Sequence, residues 1–315
     1  MIIVTGGSGL LGSAFKKVLP DAKYPTRKEL NLTDKTSIIK YIDKYNLGYN
    51  TPRIDTIIHL AGMVGGVKAN TEKVFNFYTI NSSINNNVID AAVYTDTPKL
   101  VCCLSTCIYP DEKYVTYPLT EDQLHNGPPH DSNFGYAYAK RMVEVQLRAA
   151  NSQYGHEYLS VIPNNMYGEY DNFDLEDGHV IPSIIRKIWE AKINNKSAFE
   201  VWGDGEIYRE FTYSEDIARA ILFCLDNYHG YGPINIGYTK EYKLKDIIDL
   251  ICKELEYEGQ IVFDSSKPKG QVRKPTSNTK LLSLGWKEEW YTPIEIGLKK
   301  TCEWFKKSYP NIRGV

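Results

Sequence analysis

The apolar run Ile2-Ile-Val4 passes through Thr5 into Gly6-Gly-Ser-Gly-Leu-Leu-Gly12, so glycines at 6, 9 and 12 separate a strand from a helix. That context demands a tight turn in which bare backbone faces whatever lies at the helix N-terminus. Three glycines at this spacing let a pyrophosphate approach, and the first turn of the helix supplies oriented N–H donors. The alternative is a tight strand-to-helix turn with no ligand. The strand-first context favours a dinucleotide.

The rest of the first half alternates strand and helix signals, the pattern of a parallel sheet with crossover helices. Strands are expected at Ile2–Thr5, Asp55–Ala61, Lys99–Leu104 and Tyr158–Ile162, the last ended by Pro163. Helices are expected at Leu10–Leu19, Asn76–Tyr94 and Tyr136–Tyr154. Beyond them come an acidic, aromatic loop at Glu169–Gly178, a helix at Ile181–Ala191, a helix capped by Ser214 and reaching Asn227, and a short strand at Pro233–Gly237. Helices at Tyr242–Glu254 and Pro293–Lys307 flank a strand at Gln260–Asp264. The fold class expected is α/β: a doubly wound parallel sheet with a smaller C-terminal α/β lobe. Residues 1–165, joined again by 212–237, would form the first domain, and 166–211 with 238–315 the lobe.

Composition excludes several classes. A net charge of −2 over 315 residues offers no field for nucleic acid or acidic lipid. No apolar run approaches the ~20 residues of a membrane helix. The chain enters its first strand at Ile2, so no leader peptide is expected. Six cysteines, with no CxxC pair, point to a reduced, cytoplasmic protein. No His/Cys/Asp/Glu group has metal-ligand spacing, so no metal is expected.

The chemistry-bearing residues cluster in a few segments. Tyr136 and Lys140 stand at i and i+4, on one helix face. An ammonium beside a phenol would lower its pKa and let it exchange a proton near neutral pH. Tyr138 is turned about 200° from the Tyr136 direction. Ser105-Thr-Cys-Ile-Tyr-Pro110 follows a strand, at the carboxyl end where doubly wound sheets bind ligands. Ser105 could hydrogen-bond a carbonyl there, and Cys107 could act as a base or be a small buried hydrophobe. His179 opens a helix, where capping or packing is the plainer reading. His59 reads as core, and His125, His130, His156 and His229 lack context. Arg27 and Lys28 lie fifteen residues and more beyond Gly12, where a ribose is read, and two cations there suit a 2′-phosphate.

Together these segments resemble the extended short-chain dehydrogenase/reductase family. The likeness covers nearly the whole chain and lies with the branch that epimerises and reduces GDP-4-keto-6-deoxy-D-mannose to GDP-L-fucose. It is carried by Ser105–Pro110, His125-Asn-Gly-Pro-Pro129, Asn133–Arg141, Asp171-Asn-Phe173, Asp177–Pro182 and Val201-Trp-Gly203. The resemblance implies a reductase triad of Ser105, Tyr136 and Lys140, with Cys107 taking protons from the carbons beside a ketone and His179 returning them from the opposite face. It implies NADP(H), held by Gly6, Gly7, Ser8, Gly9, Leu10, Leu11, Gly12, Arg27, Lys28, Leu60, Ala61, Pro163, Asn164, Asn165, Met166 and His179 besides the triad. It implies substrate contacts at Lys187, Trp202 and Arg209, and a homodimer built from two helices of each subunit. Ile80, Ile84 and Val88 on one helix, with Met142, Leu147 and Ala150 on the other, are the expected interface stripes. Lys187 stands where bacterial members have arginine, and Pro163-Asn-Asn-Met166 departs from a more usual Pro-Thr-Asn. A GDP-mannose 3,5-epimerase and a non-catalytic dinucleotide-binding protein are the competing readings. Arg27-Lys28 and the His179 context oppose the first, and retention of both Tyr136 and Lys140 opposes the second. A 4,6-dehydratase would carry acidic residues where Cys107 and Ile108 stand.

Overall fold

The computed structural model describes residues 1–47, 53–230, 232–266 and 273–315. Residues 48–52, 231 and 267–272, which fall within the expected lobes, lie outside the described residues.

In chain order the elements are β1 (Ile2–Thr5), α1 (Leu10–Val18), α2 (Lys35–Asn46), β2 (Thr56–His59), α3 (Val67–Glu72), α4 (Val74–Tyr94), β3 (Lys99–Cys103), α5 (Phe134–Tyr154), β4 (Leu159–Pro163) and β5 (Asn165–Tyr167). They continue as α6 (Val180–Ile193), β6 (Ala198–Trp202), β7 (Tyr208–Tyr213), α7 (Ser214–Asn227), β8 (Ile234–Ile236), β9 (Glu241–Lys243), α8 (Leu244–Leu255), β10 (Gln260–Asp264), α9 (Thr279–Ser283) and α10 (Ile294–Ser308).

Strands β1, β2, β3, β4 and β8 form one parallel sheet in that order. Their side chains are almost all buried, as expected of strands covered on both faces. On the far side of β1 the segment between α1 and α2 pairs with the sheet through one bridge, Ile3 to Lys23. The chain therefore leaves β1 on one flank and crosses to the other for β2. That reversal makes the crevice at the carboxyl ends of β1 and β2 the ligand position of a doubly wound sheet. On one face, Ile38, Ile42, Val88, Ile89, Val143 and Leu147 pack on the sheet; on the other, Leu11, Phe15, Ile217 and Ile221 do so. Helix α7 thus returns the chain to the sheet after an excursion.

The excursion and the last third build a separate apolar core from Ile181, Ile185, Phe211, Ile247, Ile251, Leu298 and Phe305. Two small sheets, β10-β6 and β5-β7-β9, accompany it. Two local expectations are corrected. Ser214 is the first residue of α7, not its cap; no side chain caps that helix. The segment from Glu241 begins as strand β9, and α8 starts only at Leu244.

The apolar stripe on α4 is also corrected. Its inward face is Phe77, Asn81, Asn85, Val88 and Ile89, whereas Ile80 is exposed and Ile84 half-buried. Asparagines thus occupy two buried turns, which periodicity of apolar residues cannot reveal. On α5, Leu147 and Ala150 are core residues, and only Met142 of the expected stripe is exposed.

Candidate active site

The glycine turn is tight for reasons internal to the protein at two positions and open at a third. Gly6 has φ +76°, and a Cβ there would lie 2.8 Å from the Ala61 nitrogen. A Cβ at Gly12 would lie 2.2 Å from the Gly6 oxygen. The loops after β1 and β2 therefore touch, bringing Leu60 and Ala61 beside the glycines. At Gly9 a Cβ would meet nothing closer than 3.6 Å, an ordinary contact. The fold itself does not require glycine at 9, and the space there is open to a ligand. No side chain caps α1, so its first-turn N–H groups face the crevice unclaimed by a cap. These features fit a dinucleotide pyrophosphate. Tyr24 packs on Gly7, and just beyond it Thr26 and Glu29 close a turn that carries Arg27 and Lys28. Both cations are exposed, and neither forms an ion pair with another described residue.

Ser105 follows the last residues of β3 and caps the short turn Thr106–Ile108, its hydroxyl accepting from the Cys107 N–H at 3.3 Å. Helix α5 approaches closely because residue 135 is glycine: a Cβ there would sit 2.7 Å from the Val74 oxygen. The approach brings Tyr136 into hydrogen bonding with Ser105 and edge-on to Phe77, with ring centroids 6.2 Å apart. Burial holds the Tyr136 phenol well above its ordinary value, the Cys107 and Cys103 thiols add to this, and the Ser105 hydrogen bond opposes it. Lys140, only 3% exposed, donates to the Cys103 carbonyl at 2.9 Å. Burial pushes its pKa down. The expected lowering of the Tyr136 pKa by Lys140 is corrected: the ammonium is taken up by a backbone carbonyl, and burial dominates the phenol. Tyr136 is accordingly a proton donor at neutral pH. Tyr138 faces outward and packs against Arg141.

Beneath Lys140 lies a buried chain that sequence reasoning did not find. Thr5 Oγ1 and His59 Nδ1 are 2.8 Å apart, His59 Nε2 and Asn85 Oδ1 3.1 Å, and Asn85 donates to the Ala139 carbonyl at 3.3 Å. Burial, with the Lys140 charge adding, pushes the His59 pKa down to about 3, so His59 is neutral. Asn81 clasps both backbone groups of Met63, in the loop beyond β2. These side chains fix the ends of β1 and β2 against α4 and α5.

From the other core, the Glu169–Gly178 loop reaches the 62–66 segment, with the Gly66 N–H donating to the Asp177 carbonyl at 3.0 Å and Lys73 3.7 Å from Asp177. His179 is the N-cap residue of α6 without capping it through its side chain. Its Nδ1 instead lies 3.5 Å from Oδ1 of buried Asp171, whose charge and hydrogen bond raise the His179 pKa. Half of the His179 side chain remains exposed, free to meet a ligand. The plainer reading of His179 as a capping residue is thereby corrected. Lys187 on α6 stands over the Trp202 ring at 5.9 Å, and burial lowers its pKa. Arg209 on β7 is partly buried, its pKa also lowered by burial.

Lys274 was missed. Burial lowers its pKa, the Cys107 thiol opposes that, and Arg209 adds to it, so the three groups share one electrostatic neighbourhood. Nothing in the local sequence connects position 274 with 107; only the fold does. Asn164 is corrected as a cofactor side chain. Its amide donates to Glu210 at 3.1 Å and to the Tyr238 carbonyl at 2.9 Å, and its oxygen accepts from Thr212 at 2.7 Å. That leaves Asn165 and Met166 as the outward members of this segment, Pro163 being buried at the end of β4, with Asn165 exposed and donating to the Glu210 carbonyl. The remaining histidines are occupied elsewhere: His125 lies 2.8 Å from Glu144, His130 accepts from the Ser132 N–H, and His156 stacks on Tyr158. An open cavity of about 530 Å³ beside α2, lined by Glu29, Tyr41 and Tyr45 among others, contains none of these groups.

A glycine-turn crevice beside a Ser–Tyr–Lys cluster defines a nucleotide-dependent enzyme acting on a carbonyl or its alcohol. The chain belongs to the NAD dependent epimerase/dehydratase family, whose pattern matches residues 2–237. It is similar to the GDP-L-fucose synthase of Dictyostelium discoideum, 39% identical over 321 residues that cover 99% of this chain and 97% of the relative. The GDP-L-fucose synthase of Escherichia coli is 34% identical over 327 residues, covering 99% and 98%. Among solved structures, a GDP-L-fucose synthetase from Naegleria fowleri bound to NADP matches with a TM-score of 0.89 at 36% identity, covering 99% of this chain and 94% of that one.

Proposed function

We propose that this chain converts GDP-4-keto-6-deoxy-D-mannose to GDP-L-fucose, inverting C3 and C5 and reducing C4 with NADPH. The observation that carries this reading is the presence of two kinds of chemistry on one chain. Tyr136, hydrogen-bonded to Ser105, is a proton donor for a ketone oxygen, while Cys107 and the Asp171-paired His179 are a base and an acid suited to carbon. A 4-keto group acidifies C3 and C5, and inversion needs a base and an acid on opposite sides.

The nucleotide, when bound, supplies the hydride for C4. The glycine turn and the α1 N-terminus would hold its pyrophosphate, Lys140 its nicotinamide ribose, and Arg27 and Lys28 a 2′-phosphate. Ser105 orients the ketone oxygen and Tyr136 gives it a proton. Cys107 removes the protons at C3 and C5, and His179, its pKa raised by Asp171, returns them from the other face. Lys187, Trp202, Arg209 and Lys274 would hold the GDP-sugar, the cations meeting its diphosphate and Trp202 packing on it. Residues 1–165 with 212–237 would carry the nucleotide, and 166–211 with 238–315 the substrate.

The test is to supply GDP-4-keto-6-deoxy-D-mannose with NADPH or NADH and identify the sugar produced. GDP-L-fucose is expected; a C4 ketone recovered with inverted C3 and C5 and no nucleotide oxidised would indicate an epimerase instead. NADPH is expected to give the higher kcat/KM by about tenfold or more, since each cation on a phosphate contributes on the order of 1 kcal/mol. Equal use of NADH would refute the role of Arg27 and Lys28.

The second partner we propose is another copy of this chain. Phe75, Tyr78 and Ile80 on α4, with Phe134, Tyr138 and Met142 at and along α5, are exposed large apolar residues on two adjoining helices. Two helices from each subunit would cover them about a two-fold axis. Light scattering at micromolar concentration should report about twice 36.0 kDa; a mass at the single value would refute the dimer. All six cysteines are free, which suits a reducing compartment, and we assign the protein to the cytoplasm.

A further inference from the structure

Three elements meet behind His179: the loop that carries Asp171, helix α6 and the segment after α10. The Phe173 peptide, two residues beyond Asp171, is held on both sides. Its N–H donates to the Arg313 carbonyl at 3.0 Å. Its carbonyl accepts from Arg186 Nη1 at 3.3 Å, and the same nitrogen donates to the Gly314 carbonyl. Arg186 lies on α6, the helix that His179 opens, and is only 17% exposed. Glu190, one turn on, fixes its Nε at 2.7 Å. The Phe173 ring is fully buried and packs on Phe305 of α10 with centroids 4.7 Å apart.

Gly314 fits this junction because it lacks a side chain. It has φ +87°, and a Cβ would lie 2.3 Å from both Asn172 Oδ1 and the Asp174 nitrogen. The loop pressed against it is the one that carries Asp171. Asp171 Oδ1 accepts from the Asn172 N–H at 2.7 Å, while Oδ2 is buried with no partner among the described residues. An uncompensated carboxylate oxygen is costly to bury, so this loop needs restraint from outside itself.

We propose that Arg186 and the Arg313-Gly314 backbone are positioning residues for proton return at carbon: they clamp the Asp171 loop so that His179 is held at the face opposite Cys107. The inference rests on the reading of His179 as the acid. It assigns to the segment after α10 an influence on inversion and none on ketone reduction, because Ser105, Tyr136 and Lys140 stand on β3, its loop and α5. The groups bearing on His179 are Asp171, which raises its pKa, and Arg313, which lowers it; Asp174 and Asp177 share its loop, Asp177 paired with Lys73, and Arg186 shares its helix.

Arg186→Lys keeps a charge but has no second nitrogen to hold Glu190 while the first serves the two carbonyls. Gly314→Ala adds the methyl that the loop cannot admit. Each variant is incubated with GDP-4-keto-6-deoxy-D-mannose and NADPH in D2O, alongside His179→Gln. The number of inverted centres per deuterium incorporated at C3 and C5 should fall about 10- to 100-fold in both variants, while C4 reduction continues and un-inverted reduced sugar accumulates. NMR titration of His179 should show its pKa falling toward about 6.5 as the Asp171 pair loosens. Wild-type inversion and wild-type His179 titration in both variants would overturn the clamp. So would inversion, exchange and reduction falling together with Tm, since that pattern marks a merely structural role. If His179→Gln itself inverts normally, the acid assignment fails and the clamp falls with it. If His179→Gln loses inversion and the two clamp variants do not, only the clamp fails.

Discussion

Tyr136→Phe is expected to reduce NADPH oxidation by about 10²- to 10⁴-fold, the usual worth of a positioned general acid, while deuterium from solvent still enters C3 and C5. The expectation follows from where the hydroxyl sits. Its partner is Ser105, its pKa is raised by burial, and its ring is braced by Phe77, so a phenylalanine can keep the packing and lose only the proton. The raised pKa also carries a sign. The phenol stays protonated across the neutral range, so reduction should show no fall near pH 7 that traces to Tyr136. Stopped-flow absorbance of the nucleotide, read beside NMR of the sugar, separates the two activities. If Tyr136→Phe oxidises NADPH within a few-fold of the parent, another group gives the proton. If exchange stops as well, the two halves of the reaction cannot be separated as proposed.

Cys107→Ser should have the complementary effect, lowering deuterium exchange at C3 and C5 by about 10² or more. Serine removes the sulfur and changes little else in volume. Because Ser105 accepts from the backbone N–H of residue 107, the local turn survives the change. Reduction should persist on the sugar that has not been inverted. Exchange at the parental rate would mean that Cys107 is a packing residue. The pH profile of inversion offers a check from the opposite face. Asp171 raises the His179 pKa above its ordinary 6.5, so the protonated form persists to higher pH than in a free histidine and is lost as pH rises through that raised value. Inversion should fall on the alkaline side while exchange driven by Cys107 does not.

Much of this site was legible one segment at a time. The glycine turn, the strands before it and after it, and the i, i+4 pair Tyr136 and Lys140 are local patterns, fixed by backbone sterics and helix geometry. Ser105 and Cys107 were legible because they follow a strand whose carboxyl end must face the crevice. The reading failed where apolar residues were grouped as interface stripes although Val88 on α4 is a core residue. On α4 the inward positions include Asn81 and Asn85, which are buried because loop backbone and His59 satisfy them. On α5, Leu147 and Ala150 pack on the sheet, while aromatic residues earlier in the helix stay exposed.

Neighbours a few positions away were enough to set the doubly wound class and the glycine turn, whereas the roles expected of Cys107 and His179 came from the family resemblance and not from local pattern. Tertiary structure decided their electrostatics and their company. Lys140 meets the Cys103 carbonyl, Asp171 meets His179, Lys274 comes within the field of Cys107, and Asn164 turns inward to Glu210. Apart from Asp171 and His179, eight positions apart on one loop, these partners are more than thirty residues apart in the chain. A pKa depends on burial and on charges within a few ångströms, whatever their sequence separation, so only the folded packing could set them.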